Sequence, residues 1–179
     1  MGDRTAIEWT DATWNPIHGT RGYWTCVKVS PGCTHCYAER INVRRGFPGY
    51  RVGADEPTLY EPALTIPFAW KKPRRVFVCS MTDLFEERVS LDWIATIFAA
   101  MALSPQHTFQ VLTKRAARMR EVLADIGANL PAVLGAFIGR LAGVSARRPL
   151  EAPWPLRNVW LGVSVEDQEY ADARIPELL

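Results

Sequence analysis

The stretch Arg75-Val76-Phe77-Val78-Cys79-Ser80-Met81-Thr82-Asp83 decides the fold, because a short apolar run without alternation gives way at once to polar residues. Such a run reads as a strand buried on both faces, the pattern of a parallel sheet. Thr108-Phe109-Gln110-Val111-Leu112 is a second strand and is followed by Thr113-Lys114-Arg115; Asn158-Val159-Trp160-Leu161-Gly162-Val163-Ser164-Val165 is a third, followed by Glu166-Asp167. Helical patterns fill the gaps. The spacing predicts a helix over 91–103, apolar nearly all round and therefore buried on two sides, with Leu91, Ile94 and Phe98 on one face and Trp93 and Ile97 on another. A further helix is predicted over 114–124, broken by Gly127, and Pro131 suits the first turn of another carrying Val133, Leu134, Phe137, Ile138 and Leu141. Asp167 caps a last helix toward Leu179. The class is α/β, a parallel sheet covered by helices, either open or closed into a barrel. Both place ligands at the carboxyl ends of the strands, which singles out 80–83, 113–115 and 166–167, although Ser, Thr and Asp serve equally well there as helix caps.

The whole chain, 179 residues and 20.1 kDa, fits a single domain over 1–179. Residues 1–75 form a loop-rich part holding Trp9, Trp14, Trp24 and Trp70, with helical periodicity only over 36–45, while 76–179 carry the βα repeats. A hydrophobic share of 48% with 22% charged residues excludes disorder, and a net charge of +2 does not by itself call for a nucleic acid or an anionic membrane. The longest apolar stretch, 94–103, is about half the ~20 residues needed to span a bilayer, so no membrane helix is expected. Met1-Gly2-Asp3-Arg4-Thr5 opens no apolar signal core, which gives a cytoplasmic expectation.

The chemistry concentrates in Cys26-Val27-Lys28-Val29-Ser30-Pro31-Gly32-Cys33-Thr34-His35-Cys36-Tyr37-Ala38-Glu39, a C-x6-C-x2-C arrangement entering a helix. Pro31-Gly32 turns the chain just before Cys33, the two-residue gap lets Cys33 and Cys36 face one centre, and the longer loop returns Cys26 to it. Three close thiols suit a Zn2+ ion completed by His18, His35 or Cys79, or an iron–sulfur cluster with one iron open. An open iron on a [4Fe-4S] cubane binds S-adenosylmethionine and passes the electron that yields a 5′-deoxyadenosyl radical. Cys79, inside its apolar run, reads as a small buried hydrophobe outside the site. Trp9 and Trp14 suit packing beneath a long loop, or stacking on a base. The basic runs 71–75 and 114–120 suit solvated faces, or phosphate contacts; Lys114 and Arg115, directly after a strand, suit a ligand carboxylate or phosphate.

These residues resemble a known family, the phage-associated and bacterial three-cysteine-motif proteins, known as phage proteins or as a domain of unknown function. The resemblance rests on Ile7-Glu8-Trp9-Thr10-Asp11-Ala12-Thr13-Trp14-Asn15-Pro16, on the cysteine segment, and on the blocks 80–85, 112–115 and 158–166. That family is similar to divergent radical S-adenosylmethionine enzymes. The resemblance therefore implies a partial (βα) barrel of radical-SAM type carrying its cluster loop after the first strand. Two departures stand out: the first cysteine gap is six where that superfamily usually has three, with His35 in the place of an aromatic, and residues 18–25 lengthen the loop before Cys26, an insertion expected to bulge outward. Family members look longer, so the chain is expected to be truncated at its C-terminus.

The expected function is that of a radical S-adenosylmethionine-like iron–sulfur protein modifying an unknown substrate, with Cys26, Cys33 and Cys36 as cluster ligands. Ser80, Asp83, Lys114 and Glu166, at predicted strand ends, are the candidates for contacting the methionine or ribose of S-adenosylmethionine. A nucleic acid and a partner protein are further candidate partners, and no membrane is expected. The alternatives are a non-catalytic zinc-binding nucleic-acid module and an inactive fragment of the family.

Overall fold

In the computed structural model, which describes residues 5–51, 55–141 and 152–179, the apolar run at Val76 does pair in parallel with the run at Thr108. In chain order the elements are β1 (Ala12–Trp14), β2 (Ile17–Gly19), a 3-10 turn (Pro31–His35), α1 (Tyr37–Arg44), β3 (Pro57–Leu59), a second 3-10 turn (Glu61–Thr65) and α2 (Ile66–Ala69). Then come β4 (Arg75–Val78), α3 (Leu91–Ala102), β5 (Thr108–Thr113), α4 (Ala116–Arg140), β6 (Val159–Val163) and α5 (Gln168–Leu178). The main sheet is parallel and four-stranded in the order β1-β4-β5-β6, and it does not close into a barrel among the described residues. β2 and β3 form a separate antiparallel pair.

The two faces of the main sheet differ. Ala12, Trp14, Val76, Val78, Phe109 and Val111 share one hydrophobic core with Ile94, Ile97 and Phe98 of α3 and Met119, Leu130 and Phe137 of α4. That burial is what fixes the register, because a one-residue slip would turn the whole apolar set outward. The opposite face carries the row Thr13, Phe77, Gln110 and Trp160, one from each strand. There Trp9 lies over Phe77 with ring centroids 4.8 Å apart, while Trp160 is 57% exposed.

Several expectations need correction. The loop-rich part supplies β1, which no periodicity announced because three residues are too few to show one, so it shares the sheet with the βα part. Residues 18–25 do not bulge outward as a whole: Tyr23 and Thr25 are buried, the Trp24 carbonyl accepts from Asn42, and only the tip at Thr20, Arg21 and Gly22 is exposed. Gly127 does not break the helix either. A Cβ at Gly127 would lie 2.2 Å from Trp154 Nε1, so glycine serves there to let an indole approach the helix, not to end it. Pro131 sits inside the continuous α4 and removes one helical hydrogen bond, at the Gly127 carbonyl, while burial of Leu130, Leu134 and Phe137 holds the helix together. The predicted start at Lys114 moves to Ala116.

Joining the two helices changes one further expectation. α4 has 25 residues and, over its most apolar 18, a mean hydropathy of 1.6, so it is long and apolar enough to cross a membrane by length and composition, a test that core helices also pass. Met119, Val122, Leu123, Ile126, Leu130, Leu134 and Phe137 are buried in the core. The opening residues Met1 to Arg4 lie outside the described residues.

Candidate functional site

Parallel strands end where their loops must turn, and the loops after β4 and β5 enclose a cavity of about 260 Å³ together with the cysteine segment. Cys26, Cys33 and Cys36 all line it. So do Ser80, Asp83 and Lys114, as well as Trp9, Phe77 and Leu112 from the open face of the sheet. Leu112 reaches this wall because the adjacent strand has glycine: a Cβ at Gly162 would lie 2.6 Å from Leu112 Cδ2.

The cysteine segment is held on both flanks of Cys26. Thr82 Oγ1 donates to the Thr25 carbonyl at 2.9 Å, and Arg115 Nη2 donates to the Val27 carbonyl at 2.9 Å. Cys33 lies in the 3-10 turn that Pro31 opens, its amide donating to Ser30 O at 2.9 Å, and Cys36 is the residue preceding α1. Two tyrosines tie this segment to the loop after β4: the Tyr37 hydroxyl donates to the Ser80 carbonyl, and the Tyr50 hydroxyl to the Met81 carbonyl at 2.7 Å. Asn15, directly after β1, accepts from Ser80 Oγ at 3.1 Å and from the Met81 amide at 3.0 Å through Oδ1.

Asp83 is engaged on all sides by the protein. Its Oδ1 accepts from Thr113 Oγ1 at 2.7 Å and the Phe85 amide at 3.0 Å, and its Oδ2 from the Lys114 amide at 3.0 Å and Arg115 Nη1 at 3.1 Å. A carboxylate has about four acceptor positions, and this one fills them all, so it braces two strand ends. Glu166 does not line the cavity but lies behind it. Its Oε2 accepts from Lys114 Nζ at 3.0 Å and Arg174 Nη1 at 2.9 Å. Burial pushes the Glu166 pKa up, but the Ser30 hydroxyl, Lys114 and Arg174 outweigh it and hold the group at about 2. A Cβ at Gly32 would come within 3.0 Å of this carboxylate, so the Pro31-Gly32 turn is what lets Glu166 press against the cysteine loop.

The thiols themselves are half-buried and free. Burial, reinforced by the Asp83 carboxylate and partly offset by Arg115, pushes the Cys26 thiol up to about 12, so it is protonated unless a metal draws the proton off. Among the described residues no three His, Cys, Asp or Glu side chains converge closely enough to hold a single ion. A fourth thiol, Cys79, also lines the cavity, in a left-handed backbone conformation with φ 52°. The sequence placed it outside the site because its apolar run gave no sign of the turn that follows β4. Trp9 and Trp14 part company: Trp14 is fully buried and donates through Nε1 to Ala63 O at 2.8 Å, whereas Trp9 stays 41% exposed at the cavity. Within the run at 114–120, Lys114 and Arg115 pair with Glu166, Asp83 and Glu87, Arg118 bonds Val89 O, and Arg120 pairs with Glu177 while staying exposed. The run at 71–75 keeps Lys71 and Lys72 exposed.

Fold and site together define a parallel α/β protein with a thiol-lined cavity at the carboxyl edge of its sheet. The chain belongs to the family described as protein of unknown function (DUF5131), whose model matches residues 4–179. Neither the curated proteins nor the solved structures give a match.

Proposed function

We propose that the chain is an iron–sulfur protein of radical S-adenosylmethionine type, with Cys26, Cys33 and Cys36 holding a [4Fe-4S] cluster against the carboxyl edge of an incomplete (βα) barrel. The observation that carries this reading is that three thiols from one short segment line a single cavity beyond the ends of β4 and β5. A cluster and a single zinc ion make different demands on these thiols. Tetrahedral zinc draws its sulfurs to roughly 3.8 Å from one another, given Zn–S bonds of about 2.3 Å. A cubane instead binds each thiolate to a different iron and so asks for thiols around a cavity. The strand order supports the barrel: each step moves to the next neighbour, as in (βα) barrels, without the reversal of a doubly wound sheet.

When bound, the cluster supplies one electron to the sulfonium of S-adenosylmethionine. The chain's own residues do the rest. Arg115 and Thr82 fix the Cys26 loop, Asp83 holds the Lys114 and Arg115 amide and guanidinium in place, and Lys114 brings a cation to the cavity wall, suited to a carboxylate of the cofactor. Trp9 and Phe77 give one side an apolar wall. Free thiols suit the reducing cytoplasm. The substrate we assign only as a molecule reached from the open face of the sheet, a nucleic acid among the candidates.

Anaerobic reconstitution with iron and sulfide tests this. Expected are a thiolate-to-iron absorbance band, its loss in the Cys26→Ala, Cys33→Ala, Cys36→Ala triple variant, and formation of 5′-deoxyadenosine on reduction with S-adenosylmethionine. A triple variant that still assembles the chromophore overturns the ligand assignment. Stoichiometric zinc in colourless protein would point instead to the zinc-binding module.

A further inference from the structure

A second cavity, of about 420 Å³, lies across Tyr37, Ser80 and Met81 from the thiol-lined one and plays no part in the reading above. Its polar lining is rich in donors. Trp24 lines it, and the Trp24 Nε1–H is buried with no hydrogen-bond partner among the described residues, although an indole nitrogen can only donate. Arg45 lines it as well, its guanidinium 5.3 Å from the centroid of the Trp24 ring, with no carboxylate in ion-pair contact among the described residues. Asn15 adds an amide whose oxygen is already taken by Ser80 and Met81, which leaves its NH2 to donate. Among the described residues no Asp or Glu lines the cavity, and Ile7, Ile41 and Met81 give it apolar walls.

Buried donors are rarely left without an acceptor, because burial strips away the water that would otherwise serve. An unpartnered indole N–H beside a cation with a planar fork of donors is matched by one ligand chemistry, an oxyanion on an apolar body. We infer that this cavity binds a phosphate- or carboxylate-bearing small molecule, its anionic group held by Arg45 and the Trp24 Nε1–H and its apolar part against Ile7, Ile41 and Tyr37. The inference does not depend on what the cysteines hold. Tyr37 borders both cavities, so a molecule seated here would lie next to the thiols.

Calorimetric titration of the full chain with phenyl phosphate, phenylacetate and benzyl alcohol tests it. These probes share an aromatic body and differ in carrying a phosphate, a carboxylate or no charge. Saturable binding of at least one anion is expected, with benzyl alcohol at least about tenfold weaker; the tighter anion identifies the natural group as phosphate or carboxylate. Arg45→Gln should weaken the anion at least about tenfold and erase its advantage over benzyl alcohol, and Arg45→Lys should recover part of it. Trp24→Phe keeps a six-membered aromatic ring but removes the pyrrole half with its donor, and should weaken the anion severalfold more than it weakens benzyl alcohol. Arg45 is exposed, so its variants should unfold with the wild-type midpoint. The inference fails if neither anion binds saturably, if benzyl alcohol binds as tightly, or if Arg45→Gln binds the anion unchanged. Iron uptake by Arg45→Gln should equal that of the wild type, which keeps this test separate from the cluster assignment.

Discussion

Asp83 and Arg115 meet at 3.1 Å, and the same guanidinium reaches the Val27 carbonyl at 2.9 Å, so one ion pair joins the loop after β4, the loop after β5 and the residue following the first cysteine. Arg115 is buried and also holds Glu87 at 2.9 Å. Removing Asp83 would leave that cation with only its more exposed partner. Asp83→Ala is therefore expected to destabilise the protein by about 3 kcal/mol, read from urea unfolding. It should also lower iron uptake, because the Val27 clamp loosens with it. A variant as stable as the wild type would show that the pair is not structural.

Cys79 lines the cavity with the other three thiols, but it is buried at the end of β4. Cys79→Ser is expected to cost about 1–2 kcal/mol for the buried hydroxyl while leaving the iron and sulfide content of reconstituted protein unchanged. Cys26→Ser should lower that content sharply. Equal losses in both variants would make Cys79 a fourth ligand and the open-iron reading untenable.

Glu166 gives the acid limb of the stability curve. Its folded pKa, about 2, lies below its ordinary value of 4.5, because hydrogen bonds from Ser30, Lys114 and Arg174 favour the anion more than burial disfavours it. A group depressed on folding contributes stability fully above its unfolded value and loses it as the pH falls through the folded one. Wild-type stability should thus decline between pH 4.5 and about 2, and Glu166→Gln should flatten that decline while lowering stability at neutral pH by about 2 kcal/mol. Urea midpoints measured across this range check both statements.

Gly127 separates helix propensity from packing. In an isolated helix Gly→Ala gains about 1 kcal/mol, but here the added carbon would lie 2.2 Å from Trp154 Nε1. Gly127→Ala is expected to destabilise by about 1–3 kcal/mol in the wild type and to stabilise by about 1 kcal/mol in a Trp154→Ala background. Thermal unfolding of the four proteins gives the cycle. The same sign in both backgrounds would remove the indole from the explanation.

The parallel pairing of 76–78 with 109–111, the capping by Asp167 and the presence of the three cysteines along one cavity were legible because each depends on local pattern. An apolar run, a capping residue before a helix and a Pro-Gly turn between thiols all leave a mark within a few residues. What escaped depends on contacts far apart in the chain. Gly127 looks like a breaker until Trp154 is seen against it, and Ala12–Trp14 is a strand only because Val76–Val78 lies beside it. Arg115 looked available to a ligand, but Asp83 and Glu87 already engage it, and Lys114 reaches the cavity wall with Glu166 paired to its Nζ. Tyr37 and Tyr50 had no signal at all, since their partners are backbone carbonyls of a distant loop.

Gly162 sets the outline of the thiol chamber without entering it. With only hydrogen at that point of β6, the isobutyl group of Leu112 can lie sideways over the neighbouring strand and serve as part of the chamber's wall. A methyl group there would push that leucine off its bed and reshape the entrance from a distance. The width of the doorway is thus written in an atom the chain does without.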